Sequence, residues 1–169
     1  MTVTSINQDI QCLTFGLDEE IFAVEVHRVR EVLDPTKITK IPRAPDFLLG
    51  VINVRGNVIP IVDLHQKLGM QQRDTDTHSR IVVLEAELDG EISTLGALAD
   101  SVHEVTDIPS ETMEPPPKIG SRWKSEFIRG IGKLDDEFVI LLDIDKVFST
   151  DELAFIKETG TSAETEEMK

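Results

Sequence analysis

Few residues in this chain have the types and spacing that chemistry needs. Asp63 and Asp143 each follow an apolar run and would suit a paired-carboxylate acid–base site. They are equivalent positions of an internal repeat, with Ile61-Val62-Asp63-Leu64 matching Leu141-Leu142-Asp143-Ile144, and each is better suited to capping the helical turn that follows its strand. Asp74, Asp76 and His78 come nearest to a metal cluster, but they lie in the polar connector from Gln71 to Ser79 and read as a solvated loop. Gly130 and Gly132 precede Lys133 inside a strand, whereas a phosphate cradle needs a helix N-terminus after its glycines. The four histidines are scattered, and the sequence has no serine nucleophile elbow, phosphate loop, dinucleotide glycine pattern or paired-cysteine spacing. The expectation is a protein that is not an enzyme and holds no metal or cofactor.

Charge and composition narrow the class further. A net charge of −15 argues against nucleic acid as a partner, because phosphate-backbone binders carry basic patches. Part of that charge is terminal: Asp151 to Lys169 holds six acids and two bases, a net −4, which leaves the body near −11. The single Cys12 cannot form an internal bridge, which suits a reducing compartment. The N-terminus lacks a signal-peptide pattern, and nowhere does the sequence run to ~18 consecutive apolar residues. A soluble cytoplasmic protein without direct membrane insertion is therefore expected, long enough to fold around one or two small cores without a metal or disulfide.

The elements that must position any site are repeated. Gly50 to Leu68 returns eighty positions later as Gly130 to Phe148, so that Gly50 meets Gly130, Val54 meets Leu134 and Val58-Ile59 meets Phe138-Val139. Each copy reads as a hairpin. The first is expected to turn on Gly56-Asn57, and Pro60, unable to donate to a ladder, is expected to make its second arm an edge strand or a bulge. Earlier in the chain, Leu13, Phe15 and Leu17 alternate as a half-buried strand does, and Asp18-Glu19-Glu20 turns it back into Ile21 to Val24. Val26, Val29, Val32 and Leu33 then share one side of a helical wheel, giving about two turns of helix ended by Pro35. Ile38 to Ile41 reads as a short strand.

In the second half, Arg80 to Leu88 and Glu91 to Ala99 form a hairpin on Asp89-Gly90. Leu95, Ala97, Val102, Glu104, Val105 and Asp107 then repeat Phe22, Val24, Val29, Glu31, Val32 and Asp34 at a spacing of 73. The change from 73 to 80 places a seven-residue insertion in the loop Met113 to Ser125, which carries Pro115-Pro116-Pro117 and Trp123. Ser149-Thr150-Asp151-Glu152 is a capping-box pattern that starts a C-terminal helix over Leu153, Phe155 and Ile156. The residues before Gln11 and after Gly160 have too little apolar content to order themselves.

Asn53-Val54-Arg55-Gly56, followed by Val58 to Leu64 and preceded by Ile41-Pro42, Pro45 and Gly50, closely resembles the CheW-type coupling proteins of bacterial chemotaxis. The resemblance runs from about Gln11 to Phe155. It implies a mainly β fold of two intertwined, SH3-like, five-stranded β-barrels, forming an internal pseudo-repeat with short helices and a C-terminal helix. The implied domain is 11–155, with repeat copies at about 11–69 and 80–148, leaving a helix end and acidic tail at 156–169. It further implies a non-catalytic scaffold holding a CheA-type histidine kinase, through its regulatory domain, against the cytoplasmic tips of chemoreceptors. The partner-binding positions that transfer are Val29 and Glu31 on the first helix, Gly50, and Arg55 at the hairpin.

Plainer readings stand beside these: Arg55 as a solvated charge at a turn, Val29 as partly core, Trp123 as a lid over a barrel end. A rival function is a small-molecule-binding or hydrolytic β-barrel with its site between the two repeats. The acidic tail offers little apolar surface, so removing Gly160 to Lys169 is expected to leave the fold and kinase binding intact. Thermal melts and a kinase pull-down of the truncated protein measure this, and lost binding would make the tail an interaction element.

Overall fold

The alternating apolar residues of the N-terminal stretch pair as expected in the computed structural model, which describes residues 9–70, 76–88, 90–115, 127–134, 136–149, 151–156 and 158. Strands β1 (Asp9–Leu17) and β2 (Glu20–Glu25) form a hairpin whose turn holds Asp18 at φ 58°. A 3-10 turn, Val26–Arg28, leads into β3 (Val29–Leu33). Then come β4 (Leu48–Val54), β5 (Asn57–Val62) and the single-turn helix α1 (Leu64–Lys67). The second half repeats that order with β6 (Arg80–Leu88), β7 (Glu91–Ala99), β8 (Ser101–Pro109), β9 (Ile128–Leu134), β10 (Glu137–Leu142) and α2 (Ile144–Val147). A last helix, α3, covers residues 151–156.

The strands form two five-stranded sheets, β8-β1-β2-β10-β9 and β3-β6-β7-β5-β4. Each sheet takes its central hairpin from one half of the chain and its other three strands from the other half. The halves meet at two pairings in each sheet, one antiparallel and one parallel: β1 with β8 and β3 with β6 are antiparallel, while β10 lies parallel to β2 and β5 to β7. Each sheet then curls, and the connector after its first-listed strand bridges the opposite edge. Thr39 exchanges two backbone hydrogen bonds with Val51 of β4, both 2.9 Å, and Glu114 does the same with Ile131 of β9 at 2.9 and 2.8 Å.

Curling gives three cores. Ile52, Ile59, Ile61, Ile81 and Val83 fill one barrel, and Cys12, Ala23, Ile108, Val139 and Leu141 fill the other. Between the sheets lies a larger core that takes the alternate residues of the same strands, including Phe22 and Val24 of β2, Val62 of β5, Val82 and Leu84 of β6, and Ile140 and Leu142 of β10. The helices seal its ends with Leu64, Ile144, Val147 and Ile156.

Four local expectations are corrected. Val29 and Glu31 lie on a strand, not a helix: valines restricted at χ1 favour the pleated surface, and β3 finds a ladder on β6. Ile38 to Ile41 contributes only the Thr39 bridge. Pro60 lies on an interior strand, where its missing donor is tolerated because the parallel ladder to β7 begins one residue later, at Ile61. The β4–β5 turn is Arg55-Gly56, with Asn57 already in β5. The capping box forms as written, since Ser149 N–H donates to Glu152 at 2.8 Å and Glu152 N–H to Ser149 Oγ at 3.1 Å. Asp89, the Trp123 loop and the tail after 158 lie outside the described residues.

Ile61 and Leu141 are repeat mates, both fully buried and one in each barrel. Ile61→Ala and Leu141→Ala are each expected to destabilise the protein by about 2–5 kcal/mol in denaturant melts. A near-zero loss at either position would mean that its barrel is not a packed core.

Candidate functional site

The β4–β5 turn places Arg55 and Gly56 at φ 52° and 85°, the signs a two-residue primed hairpin turn demands. Glycine accepts this without cost, but arginine rarely adopts it. Asn53 holds the turn: its Oδ1 accepts from Gly56 N–H at 2.9 Å. The guanidinium of Arg55 then reaches across the curled sheet to the Glu31 carboxylate on β3. That bond raises the already high pKa of Arg55, so the side chain is a fixed cation. Its outer surface is 70% exposed, against 27% for Glu31.

Beneath the pair runs a groove of about 310 Å³, with Val54, Val58 and Val83 as its floor and Arg30, Glu31 and Arg55 at its rim. A bulge in β3 aims these residues. Val29 pairs with Leu84, which faces the shared core, whereas Glu31 pairs with Val83, which faces the barrel interior. Val29 therefore packs partly into the shared core, while Glu31 joins the groove.

Gly50 has a different place. It is buried, at φ 151°, and a Cβ there would lie 2.2 Å from Thr39 O. Its hydrogen side lets the Thr39 connector cross β4 and close the barrel. Of the four expected partner-binding residues, the structure thus brings Glu31 and Arg55 together on one surface, turns Val29 toward the shared core, and gives Gly50 the closure.

The other candidates resolve simply. Asp63 caps α1, its Oδ1 accepting from Gln66 N–H at 3.2 Å. Asp143 sits at the start of α2 without a side-chain cap bond and has Lys146 Nζ at 4.0 Å. Asp76 and His78 are exposed and 3.7 Å apart, and Asp74 lies outside the described residues. Among the described residues no group of three or more His, Cys, Asp or Glu is set to hold a metal ion. Burial pushes the Cys12 thiol up to about 11, too high for a thiolate nucleophile.

Sequence reading missed the polar contacts that join the two halves. Arg28 binds Asp145 through both guanidinium nitrogens at 2.8 and 2.5 Å, and Asp145 also accepts from Glu87 N–H at 2.7 Å. Next to this pair, Arg129 is paired with Glu25. Lys67 donates to both carboxylate oxygens of Glu152 at 2.8 and 2.9 Å, with its ammonium 5.8 Å from the ring centroids of Phe127 and Phe148. Burial would raise the Glu152 pKa, but the bonds from Lys67 and Ser149 outweigh it and hold the group below its ordinary value. One signal was available in the sequence: Asp145 is the repeat mate of His65, a second polar residue at the same place in the repeat.

Comparison with known proteins gives a consistent result. A family model described as CheW-like domain matches residues 11–152. The probable chemotaxis protein CheW of Rhizobium etli is 34% identical over 151 residues, covering 89% of this chain and 95% of that protein. The chemotaxis protein CheW of Klebsiella aerogenes is 31% identical over 150 residues, covering 89% and 88%. Among solved structures, the scaffolding protein TtCheW from Thermoanaerobacter tengcongensis superposes with a TM-score of 0.75 at 34% identity, covering 85% of this chain and 95% of that one.

Two substitutions separate the roles of the hairpin. Gly50→Ala is expected to cost about 2 kcal/mol or more, because the Thr39 carbonyl it would strike is backbone in a closing bridge. Arg55→Gly is expected not to lower the melting midpoint, since it relieves the left-handed arginine and removes only a surface pair. A clear fall for Arg55→Gly would make that pair a structural element.

Proposed function

The chain belongs to the CheW-like domain family, a family of non-catalytic adaptors, and from that premise we infer that it is a scaffold of chemotaxis signalling that couples chemoreceptors to a CheA-type histidine kinase. It has no catalytic step of its own on this reading, and it works in the cytoplasm, where the receptor tips and the kinase lie. Consistent with that location, no helix among the described residues is long and apolar enough to cross a membrane. The working unit is one domain, residues 11–155, whose repeat copies span about 11–69 and 80–148.

The observation that carries the partner surface is the Arg55 turn. A non-glycine residue held in the left-handed region, with its charge fixed by Glu31 at the rim of an apolar-floored groove, fits recognition better than stability. Arginine, with five donors in a rigid fork, suits a carboxylate or carbonyl on a partner. Val29, Glu31, Gly50 and Arg55 are assigned to partner binding on this reading, with Gly50 acting by shaping the barrel and Val29 by anchoring the start of β3 on the shared core. A small-molecule-binding or hydrolytic barrel with its site between the repeats is not favoured. The charged side chains at that junction, Arg28, Asp145, Arg129 and Glu25, are paired with one another.

Arg55→Glu is expected to weaken binding to the kinase regulatory domain, to a receptor cytoplasmic fragment, or to both by about thirtyfold or more, with the fold retained. Titrating the variant against each partner, with thermal melts alongside, measures this. Wild-type affinity for both partners, or an unfolded variant, would make the hairpin structural and move the functional surface elsewhere.

A further inference from the structure

His65 is the one histidine buried among the described residues, with 4% of its side chain exposed. Both ring nitrogens face carboxylates: Nδ1 lies 3.5 Å from Asp63 Oδ1, and Nε2 lies 3.1 Å from Asp100 Oδ2. A neutral imidazole carries one N–H, so in either tautomer one carboxylate would face a ring lone pair. Only the imidazolium donates to both. The Asp100 oxygen is held in turn by the backbone of the other half, because it accepts from Asp18 N–H at 2.6 Å, while Asp100 N–H donates to Gly16 O at 2.9 Å. His65 O accepts from Met70 N–H at 2.7 Å. One ring thus connects α1, the β7–β8 corner and the β1–β2 turn.

We propose that His65, clamped between Asp63 and Asp100, is a pH-sensitive latch at the junction of the two halves, closed when the ring is protonated and loosened when it is not. The charged groups facing the ring are Asp63, which precedes its own helix, and Asp100 from the β7–β8 corner. Asp18, on the β1–β2 turn, meets Asp100 through its backbone N–H. Lys67, on the same helical turn, is turned to Glu152, and His103 lies beyond Gly16 with Ser101. Asp63 beside Nδ1 does most to raise the pKa of the ring, burial opposes it and Asp100 adds to the rise, giving a value above the ordinary one. Of the two carboxylates Asp100 is nonetheless the closer partner.

The sign follows. A histidine whose folded pKa exceeds its unfolded value of about 6.5 contributes its full stabilisation below that value and loses it as pH rises through the folded pKa. Each unit of that rise is worth about tenfold in the folding constant. The latch therefore loosens on the alkaline side, where the neutral ring turns a lone pair toward one of the two carboxylates.

The test is a pH titration of the full chain by NMR, following the histidine Cε1 protons. The His65 midpoint is expected above the ordinary histidine value of about 6.5, and Asp100→Asn is expected to lower it. Over the same pH range, the protection factors of the Asp18 and Met70 amides, corrected for base-catalysed intrinsic exchange, are expected to fall before those of the core strands do. Denaturant melts of His65→Gln are expected to show a flatter loss of stability from about pH 6 upward than wild type. A His65 midpoint at or below about 6.5 overturns the proposal, and this measurement needs no variant to fold. An unchanged pH slope in a folded His65→Gln protein overturns it as well.

Discussion

The structure depends on two apolar strands, β5 and β10, that must be buried on both faces. The run Val58 to Val62 has no polar residue, and neither does Val139 to Leu142; an alternating strand with one wet face could not be built from either. Such strands need a core on each side. The chain meets that need by exchange: β5 is set beside β7 and β10 beside β2, so each apolar run lies between a barrel interior and the shared core. This exchange permits the parallel pairing of β5 with β7 and β10 with β2, because these neighbours come from different halves and no tight turn joins them. Closure of each barrel by a bridge of two hydrogen bonds covers the sheet edge that curling would otherwise leave open.

Exchange also explains where the buried polar contacts lie. Arg28 with Asp145 and His65 with Asp100 each join one half of the chain to the other. In repeat positions they are near-equivalents with the charges swapped, for Asp145 is the mate of His65 and Asp100 stands where the first copy has His27, next to Arg28. A pair removed from water must recover its desolvation cost through geometry and further hydrogen bonds. Both carboxylates do this, Asp145 by accepting from Glu87 N–H and Asp100 by accepting from Asp18 N–H. These contacts fix how the halves are set on each other, while the apolar cores supply most of the driving force.

Much of this was legible in the sequence, because a repeat with matched apolar positions reports which segments are equivalent. The boundaries of the Arg80–Leu88 and Glu91–Ala99 arms, the Asp63 cap and the Ser149 capping box were all local patterns with local causes. A repeat does not report which copy a strand pairs with, so by sequence Pro60 reads as an edge or bulge position although β5 lies inside its sheet. Nor does periodicity survive a bulge: the shift between Val29 and Glu31 turns a two-residue alternation into a three-residue spacing, which imitates a helix. The Glu31–Arg55 contact was hidden for a related reason. It joins strands at opposite ends of one sheet, and only curling brings them together. The turn settled on Arg55-Gly56 because the Asn53 side chain reaches Gly56 N–H, a contact that outweighs the usual preference for Gly-Asn at the corner.

A duplicated fold offers two copies of one surface unless the outward residues of the copies differ. The repeat mates show how this chain departs from that symmetry. Around the first hairpin stand Glu31, Arg55 and a buried Val58, a paired charge over an apolar floor. Their mates in the second copy are Glu104, Asp135 and Phe138, which by sequence are two acids and an aromatic, and Phe138 is 66% exposed. Backbone positions that the fold needs stay matched, as Gly50 with Gly130 and Ile61 with Leu141 do, while the outward positions diverge in charge and in exposed apolar area. The shared core, built from alternate residues of strands in both sheets, packs the two differing surfaces onto one interior.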